Sequence, residues 1–247
     1  PYSGIFIQYP NGQKQSTKIS FQQKVYESLI EKLPDFAELK QNFHLGFENN
    51  LPLIWAGFKD LKRYTYLLKL DLPETELHLN LRDNIRKQIR KGSESLSIRR
   101  SQNAELLKSC FEGSFASQGL KSPIDDSEVF KRVVDYIAKY NCGELWVAED
   151  ESKQTHAALC CIWDNQQAYY LIGGSLPKHK NSGAMSLLLW HAIKKSKSLG
   201  KAHFNFEGSS IPAIEKYFRG FGGELVPFSC FQKSQSASLQ FARKIKP

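Results

Sequence analysis

Tyr169-Tyr-Leu-Ile-Gly-Gly-Ser-Leu-Pro-Lys-His-Lys-Asn-Ser-Gly-Ala184 passes from an apolar run through two glycines into a basic loop and on into a helical pattern. Its start, Ala168–Gly173, predicts a strand, since apolar and aromatic residues there are bounded by turn signals. Beyond it, Met185, Leu188, Leu189, Ala192 and Ile193 recur at helical spacing until Gly200, predicting a helix over about Gly183–Leu199. A strand that feeds a helix N-terminus in this way presents backbone N–H groups without intrahelical acceptors at the positive end of the helix dipole. Such a junction suits a phosphate or pyrophosphate. Gly183 and Ala184 let the backbone approach an anion, Lys178, His179 and Lys180 add positive charge, and Gly174, Asn181 and Ser182 complete the candidate cradle. A helix opening after a Ser-Gly turn needs no ligand, however, so the loop alone does not decide between the two readings.

Before this stretch, Gly143–Glu149 and His156–Trp163 read as strands, joined by Asp150-Glu151-Ser152 and then by Asp164-Asn165 to the strand at Ala168, an antiparallel meander. Ser95–Arg99 predicts a strand, and Ala104–Phe115 and Ser127–Tyr140 predict helices. After it come a strand at Ala202–Phe206, a helix at Ile211–Phe221 and a last strand near Glu224–Phe231. Upstream, Leu77, Leu81, Ile85 and Ile89 make one apolar stripe on a helix running from Pro73 to Gly92, with Arg82, Arg86, Arg90, Lys87 and Lys91 beside it. That basic ridge is either a solvated face or an anion-steering surface. The first residues predict a strand at Gly4–Gln8, a helix at Phe21–Leu33 stopped by Pro34, and strands at Phe43–Phe47 and Tyr64–Leu70, with turn chemistry at Asn49–Pro52 and Lys59-Asp60. The pattern changes at Leu72, so 1–71 and 72–247 are taken as separate domains. The Ser/Gln-rich tail Lys233–Gln240 is expected as a loop.

The chain of 247 residues is 41% hydrophobic, enough for a substantial core, and no apolar run approaches the roughly 18 residues of a spanning helix. Its 34 lysines and arginines against 25 acidic residues favour an anionic partner, whether a phosphorylated cofactor, RNA or an acidic surface. Five cysteines without CxxC spacing read as reduced core thiols, and no metal is expected; the cytoplasm follows as the compartment. The chain starts at Pro1 with no signal peptide at its head, and an upstream segment is expected.

Two further residues carry chemistry. Alternation along Ala202-His-Phe-Asn-Phe-Glu207 sends Ala202, Phe204 and Phe206 one way and His203, Asn205 and Glu207 the other. Glu207, at a strand's C-terminal end, is placed either to take a proton from an amine or to pair with Arg219 or a lysine. Tyr217, on a short helix closed by glycines, either packs or protonates a departing thiolate.

Tyr64-Thr-Tyr-Leu-Leu-Lys-Leu-Asp-Leu72, Asp83-Asn-Ile-Arg-Lys87, Gly173-Gly174, the helix bearing Trp190, Phe204-Asn-Phe-Glu-Gly-Ser209 and Tyr217-Phe-Arg-Gly-Phe-Gly-Gly223 together resemble GNAT acyltransferases, and more narrowly the FemAB-related branch. The resemblance covers about Tyr64 to Phe231. It implies an α/β (α+β) fold with a mixed, mostly antiparallel sheet flanked by helices, preceded by a partial second GNAT-like layer in 1–71. It further implies transfer of an acyl group from acetyl-CoA or another acyl-CoA to an amine, with the pyrophosphate at Lys178–Ala184 and catalysis largely by positioning. In the Fem branch the donor is an aminoacyl-tRNA and the acceptor a cell-wall precursor, so the resemblance also implies a possible tRNA partner, and a non-catalytic binding module on the same scaffold is a third reading. Lys180-Asn-Ser-Gly-Ala-Met185 keeps one glycine where the family loop has Gly-x-Gly or Gly-x-Ala. The family's general-acid tyrosine aligns with Phe218, one position from Tyr217.

Overall fold

The computed structural model describes residue 2 and residues 4–47, 49–124, 126–208 and 211–235. The chain divides into two compact units, Pro1–Tyr64 with Val226–Pro247, and Thr65–Leu225.

The first unit contains α1 (Gln15–Glu31), β1 (Glu38–Asn42) and α2 (Leu51–Trp55), with β1 antiparallel to β8 (Glu224–Ser234) from Glu38↔Ser234 to Asn42↔Cys230. Phe43, Leu53, Phe58 and Phe231 form its core. Several local expectations fail here. Gly4–Gln8 is not a strand, although Phe6 is 89% exposed between half-buried neighbours in an alternating pattern; alternation without a ladder partner makes no strand. The strand expected at Phe43–Phe47 lies earlier, at Glu38–Asn42, and Phe43 and Phe47 instead meet in an aromatic cluster with Tyr26 and Phe231. Leu51-Pro52 opens α2 rather than a turn, with proline at a position where no N–H is needed. Lys59-Asp60 begins β2 (Lys59–Lys69). Helix α1 buries Tyr26 and leaves Leu29 exposed, and Leu33 lies beyond its end, so the expected apolar stripe is not its packing face. Of the tail, Lys233 and Ser234 belong to β8, and residues from 236 onward lie outside those described.

In the second unit the sheet runs in the order β2, β7 (His203–Asn205), β6 (Gln167–Ser175), β5 (Thr155–Trp163), β4 (Gly143–Glu149), β3 (Ser97–Ser101). All neighbours are antiparallel except β6 and β7. Helices α5 (Ala104–Ala116) and α6 (Glu128–Tyr140) pack through Leu107, Phe130, Val134 and Ile137 onto Leu145, Val147, Ala158 and Cys160. A separate cluster joins α3 (Glu74–Leu79), α4 (Asp83–Ser95), α7 (Ala184–Ser198) and α8 (Pro212–Arg219) to Trp146, Leu159, Cys161, Phe204 and Phe206. The mixed, mostly antiparallel sheet flanked by helices is therefore as expected. Every predicted element from Ser95 to Phe231 is present, because each carries its own period and boundary residues.

The exception is the single helix expected from Pro73 to Gly92. It is two helices, broken where Arg82 turns extended (ψ 150) and its N–H donates to the Gly220 carbonyl at 2.9 Å. The stripe survives the break, since Leu77, Leu81, Ile85 and Ile89 are all buried, and Gly92 lies inside α4 rather than ending it. Part of the basic ridge is structural: Arg86 donates to the Leu79 and Leu81 carbonyls at 2.7 and 2.8 Å, capping the end of α3. The five cysteines are unpaired, and burial pushes the thiols of Cys110 and Cys160 up to about 12, as befits inert core sulfur. Among the described residues no helix is long and apolar enough to cross a membrane.

Candidate active site

Strands β6 and β7 pair in parallel only at Gln167↔His203, Ala168↔Phe204 and Tyr169↔Asn205. There β7 ends, while β6 continues to Ser175 on the β5 side alone. Two parallel strands that part in this way leave one edge of β6 without a partner strand, and a cavity of about 530 Å³ opens at the fork. Its walls are Tyr170, Gly173 and Gly174 of β6, Gly183, Met185 and Ser186 at the start of α7, Gly208 after β7, and Ile211, Ile214, Tyr217 and Phe218 at α8. Gln88 from α4, Lys180, and Phe111, Ser114, Phe115, Gln118 and Pro123 from α5 and the segment after it close the remainder.

Close approach explains the glycines. A Cβ on Gly183 would stand 2.2 Å from the Gln88 carbonyl oxygen, and the residue has φ +83, so both packing and backbone require glycine. A Cβ on Gly174 would stand 2.3 Å from the Cys110 carbonyl oxygen, which lets α5 lie directly on β6. Ser114 Oγ accepts from the Ser175 N–H at 2.8 Å, taking up a donor at the strand's end. At α7, Leu187 N–H is the first to find an acceptor inside the helix, the Gly183 carbonyl, and Ala184 N–H donates to Ser182 Oγ at 3.3 Å. The N–H groups of Met185 and Ser186 thus belong to a helix N-terminus that faces the cavity.

A hydrogen-bond chain crosses the cavity wall. Ser186 Oγ donates to Gln88 Oε1 at 2.6 Å and lies 2.8 Å from Tyr217 Oη. With the serine proton committed to an amide oxygen, the tyrosine donates to the serine, and Tyr217 itself lines the cavity. Burial pushes the Tyr217 and Tyr170 phenols well above their ordinary range, so both stay protonated near neutrality. Tyr170 Oη donates to the Gly173 carbonyl at 2.8 Å.

The residues singled out from the sequence divide between two sides. Gly174, Lys180, Gly183 and Tyr217 line the cavity. Lys178 and His179 turn to the β4–β5 hairpin: Lys178 donates to Gln154 Oε1 at 3.1 Å, and the His179 ring stacks on His156 with centroids 3.6 Å apart. His156 lies 3.2 Å from Asp150, and burial holds His179 below its ordinary range. Asn181 offers its carbonyl to Lys91 Nζ at 2.8 Å, and Ser182 and Ala184 form the helix cap. Glu207 is not in the lining, although the next residue, Gly208, is. It has a left-handed backbone, φ +60, with its N–H bonded to Asn205 Oδ1 at 2.9 Å, and Asn205 Oδ1 also accepts from Thr65 at 2.8 Å. Burial raises its carboxyl above the ordinary range. A non-glycine residue held at such a backbone is uncommon and clusters at functional sites. The polar face expected on β7 is itself buried at Asn205. Gln88 and Ser186 carried no signal in the sequence beyond a serine in the first turn of a helix, because their partner Tyr217 is remote in the chain.

A second cavity of about 520 Å³ lies by β3, β4 and α6, but its charged groups Arg100 and Glu144 pair with each other, and Arg99 forks onto Glu149 at 2.7 and 2.6 Å. It holds no unengaged titratable pair with which to do chemistry.

A family model described as an acetyltransferase (GNAT) domain matches residues 80–219, more than half of the chain and all of the cavity walls. The chain belongs to this GNAT family. It is an N-acyltransferase by class. The fold agrees. FemX superposes with a TM-score of 0.70 at 11% identity, over 92% of this chain and 79% of its own. The L-PGS structure from Bacillus licheniformis gives 0.56 at 11% identity over 95% and 78%. A tandem GNAT protein from the clavulanic acid biosynthesis pathway gives 0.54 at 10% over 93% and 73%. At these identities the likeness is one of fold, that of the FemAB-like GNAT proteins. No curated protein matches the chain in sequence.

Proposed function

We propose that this GNAT protein takes its acyl group from acyl-CoA, with the thioester seated in the fork between β6 and β7, and works in the cytoplasm. The observation that carries the reading is the joining of one open cavity, one helix N-terminus and one lysine: the N–H groups of Met185 and Ser186 beside Lys180 suit an anionic cofactor. Beyond Tyr169 the outer edge of β6 has no partner strand among the described residues, and although the Ser175 N–H and the Gly173 carbonyl are taken by Ser114 and Tyr170, this edge suits the amide-bearing arm of coenzyme A, which can bond to a strand as another strand does. Gly174, Asn181, Ser182, Gly183 and Ala184 shape that cradle, and Lys178 and His179 support it by tying the connection to the β4–β5 hairpin. The likeness over most of its length to a tandem GNAT protein supports 1–71 as a partial second GNAT-like layer.

In the reaction the amine lone pair attacks the thioester carbonyl carbon, the C–S bond breaks, and the amine proton ends on sulfur. Tyr217 turns its O–H from Ser186 toward the sulfur and gives up its proton, then recovers one from the amide nitrogen. Glu207, one residue from Gly208 and outside the lining, is proposed to relay that proton through a bridging water, its raised carboxyl able to hold it. Calorimetric titration with acetyl-CoA tests the reading: the wild type binds with micromolar affinity, and Lys180→Ala weakens it. No heat of binding at any salt concentration would refute the donor.

A further inference from the structure

The cavity at the β6–β7 fork has a lopsided charge inventory. Among the described residues its lining holds one charged side chain, Lys180, and no carboxylate. The elements that wall it do carry acids: Asp83 and Glu94 on α4, Glu105 and Glu112 on α5, Asp126 after α5 (2.7 Å from Arg132), Glu215 on α8, and Glu207 next to Gly208. None of them lines it. Asp83 pairs with Arg86, and Glu215 accepts from Tyr66 and lies 3.4 Å from Arg219. The wall is otherwise aromatic and aliphatic, with Phe111, Phe115, Tyr170, Ile214 and Phe218, and its uncharged polar groups include Ser114 and Gln118.

An alkylammonium ion brought into such a space loses hydration without meeting a counter-ion from the wall, and Lys180, engaged by the cofactor on the reading above, offers none. Uncompensated burial of charge is strongly unfavourable in proteins. A neutral amine enters at no such cost, and Tyr217, which lines the cavity and keeps lone pairs on its oxygen while donating to Ser186, is an acceptor for its N–H. We infer that the acceptor is a weakly basic amine bound as its free base, of the class of an α-amino group on an apolar amino-acid amide or peptide, rather than a lysine-type alkyl amine. The inference rests on the acyl-CoA reading above and adds the substrate class to it. The step balances as written there: C–N forms, C–S breaks, and the proton lost by nitrogen ends on the coenzyme thiol.

The test uses the full chain with acetyl-CoA and two acceptors of matched shape, phenylalaninamide and 2-phenylethylamine, comparing kcat/KM from thiol release between pH 7 and 9. An α-amino group titrates near 7.8 and a lysine-type amine near 10.4, so the former has roughly 350-fold more free base at pH 7 and roughly 25-fold more at pH 9. The expected result is a preference for phenylalaninamide of about that size at pH 7, with turnover of phenylethylamine rising about tenfold per pH unit. Gln118→Glu sets a carboxylate in the wall that pairs with the ammonium form, and is expected to lower KM for phenylethylamine at pH 7 at least about tenfold while kcat/KM, which follows the free base, stays unchanged. Equal or faster transfer to phenylethylamine at pH 7, or transfer to neither amine while calorimetry shows acetyl-CoA bound, overturns the inference and leaves the donor reading standing. Absence of acetyl-CoA binding in that titration overturns both.

Discussion

Lys178 and His179 lie against the β4–β5 hairpin, whereas Lys180 and Gly183, in the same connection between β6 and α7, line the cavity. In sequence these four residues form one basic, glycine-bearing loop. In space the short 3-10 turn Pro177–His179 rotates the chain between them, so neighbouring cations project to different sides. The difference teaches that a run of positive charge is not by itself a positive patch. One half of the connection anchors, through a lysine–glutamine bond and a stacked histidine pair. The other half is pinned backbone to backbone against α4, with its charge left facing the fork.

The largest effect expected from breaking this division comes from Gly183→Val. The left-handed backbone costs about 1–2 kcal/mol for a residue with a Cβ, and the clash with Gln88 adds about 1–3 kcal/mol. Chemical denaturation is expected to show a loss of about 3 kcal/mol or more; a loss under about 1 kcal/mol would mean that α4 and α7 are not held together there. Next is Tyr217→Phe, expected to lower kcat about 100-fold while acetyl-CoA affinity holds, because it deletes the proton donor and leaves the ring. A proportionate loss of binding instead would make the hydroxyl a structural strut.

The direct comparison of the two halves is smaller in size. Lys180→Ala is expected to weaken acetyl-CoA binding about tenfold, or about 1.4 kcal/mol, in a salt-dependent way, whereas Lys178→Ala leaves it unchanged. Equal losses in both variants would erase the distinction. The smallest effect is titration of the anchoring half. His179 is held below its ordinary value by burial, then by His156 and Lys178. An unfolded histidine takes up its proton near pH 6.5, so as pH falls through that value the unfolded state binds the proton that the folded state refuses, and stability declines. His179→Gln is expected to flatten the thermal midpoint between pH 7 and 5; an unchanged slope would place the titrating group elsewhere.

Much of this architecture was legible beforehand. The meander Gly143–Gly173, the helix after Gly183 and the strand ending near Phe206 were each readable from local period and turn chemistry. The first unit is less legible, because its strand and helix faces depend on aromatic contacts among Tyr26, Phe43, Phe47 and Phe231 that no short window reveals. Arg82 breaks the expected helix for a similar reason, since its N–H partner, Gly220, is far along the chain.

The sequence by itself determined which residues form strands and helices from Ser95 to Phe231, and that a glycine-bearing strand must run into a helix N-terminus at Gly183. Those are consequences of side-chain period and backbone sterics within a few residues. Only the tertiary structure decided that β6 and β7 part after Tyr169, that Gln88, Ser186 and Tyr217 join in one hydrogen-bond chain, and that no described carboxylate reaches the cavity wall. Each of these depends on groups brought together from distant segments by burial of a shared core, which sequence spacing does not encode.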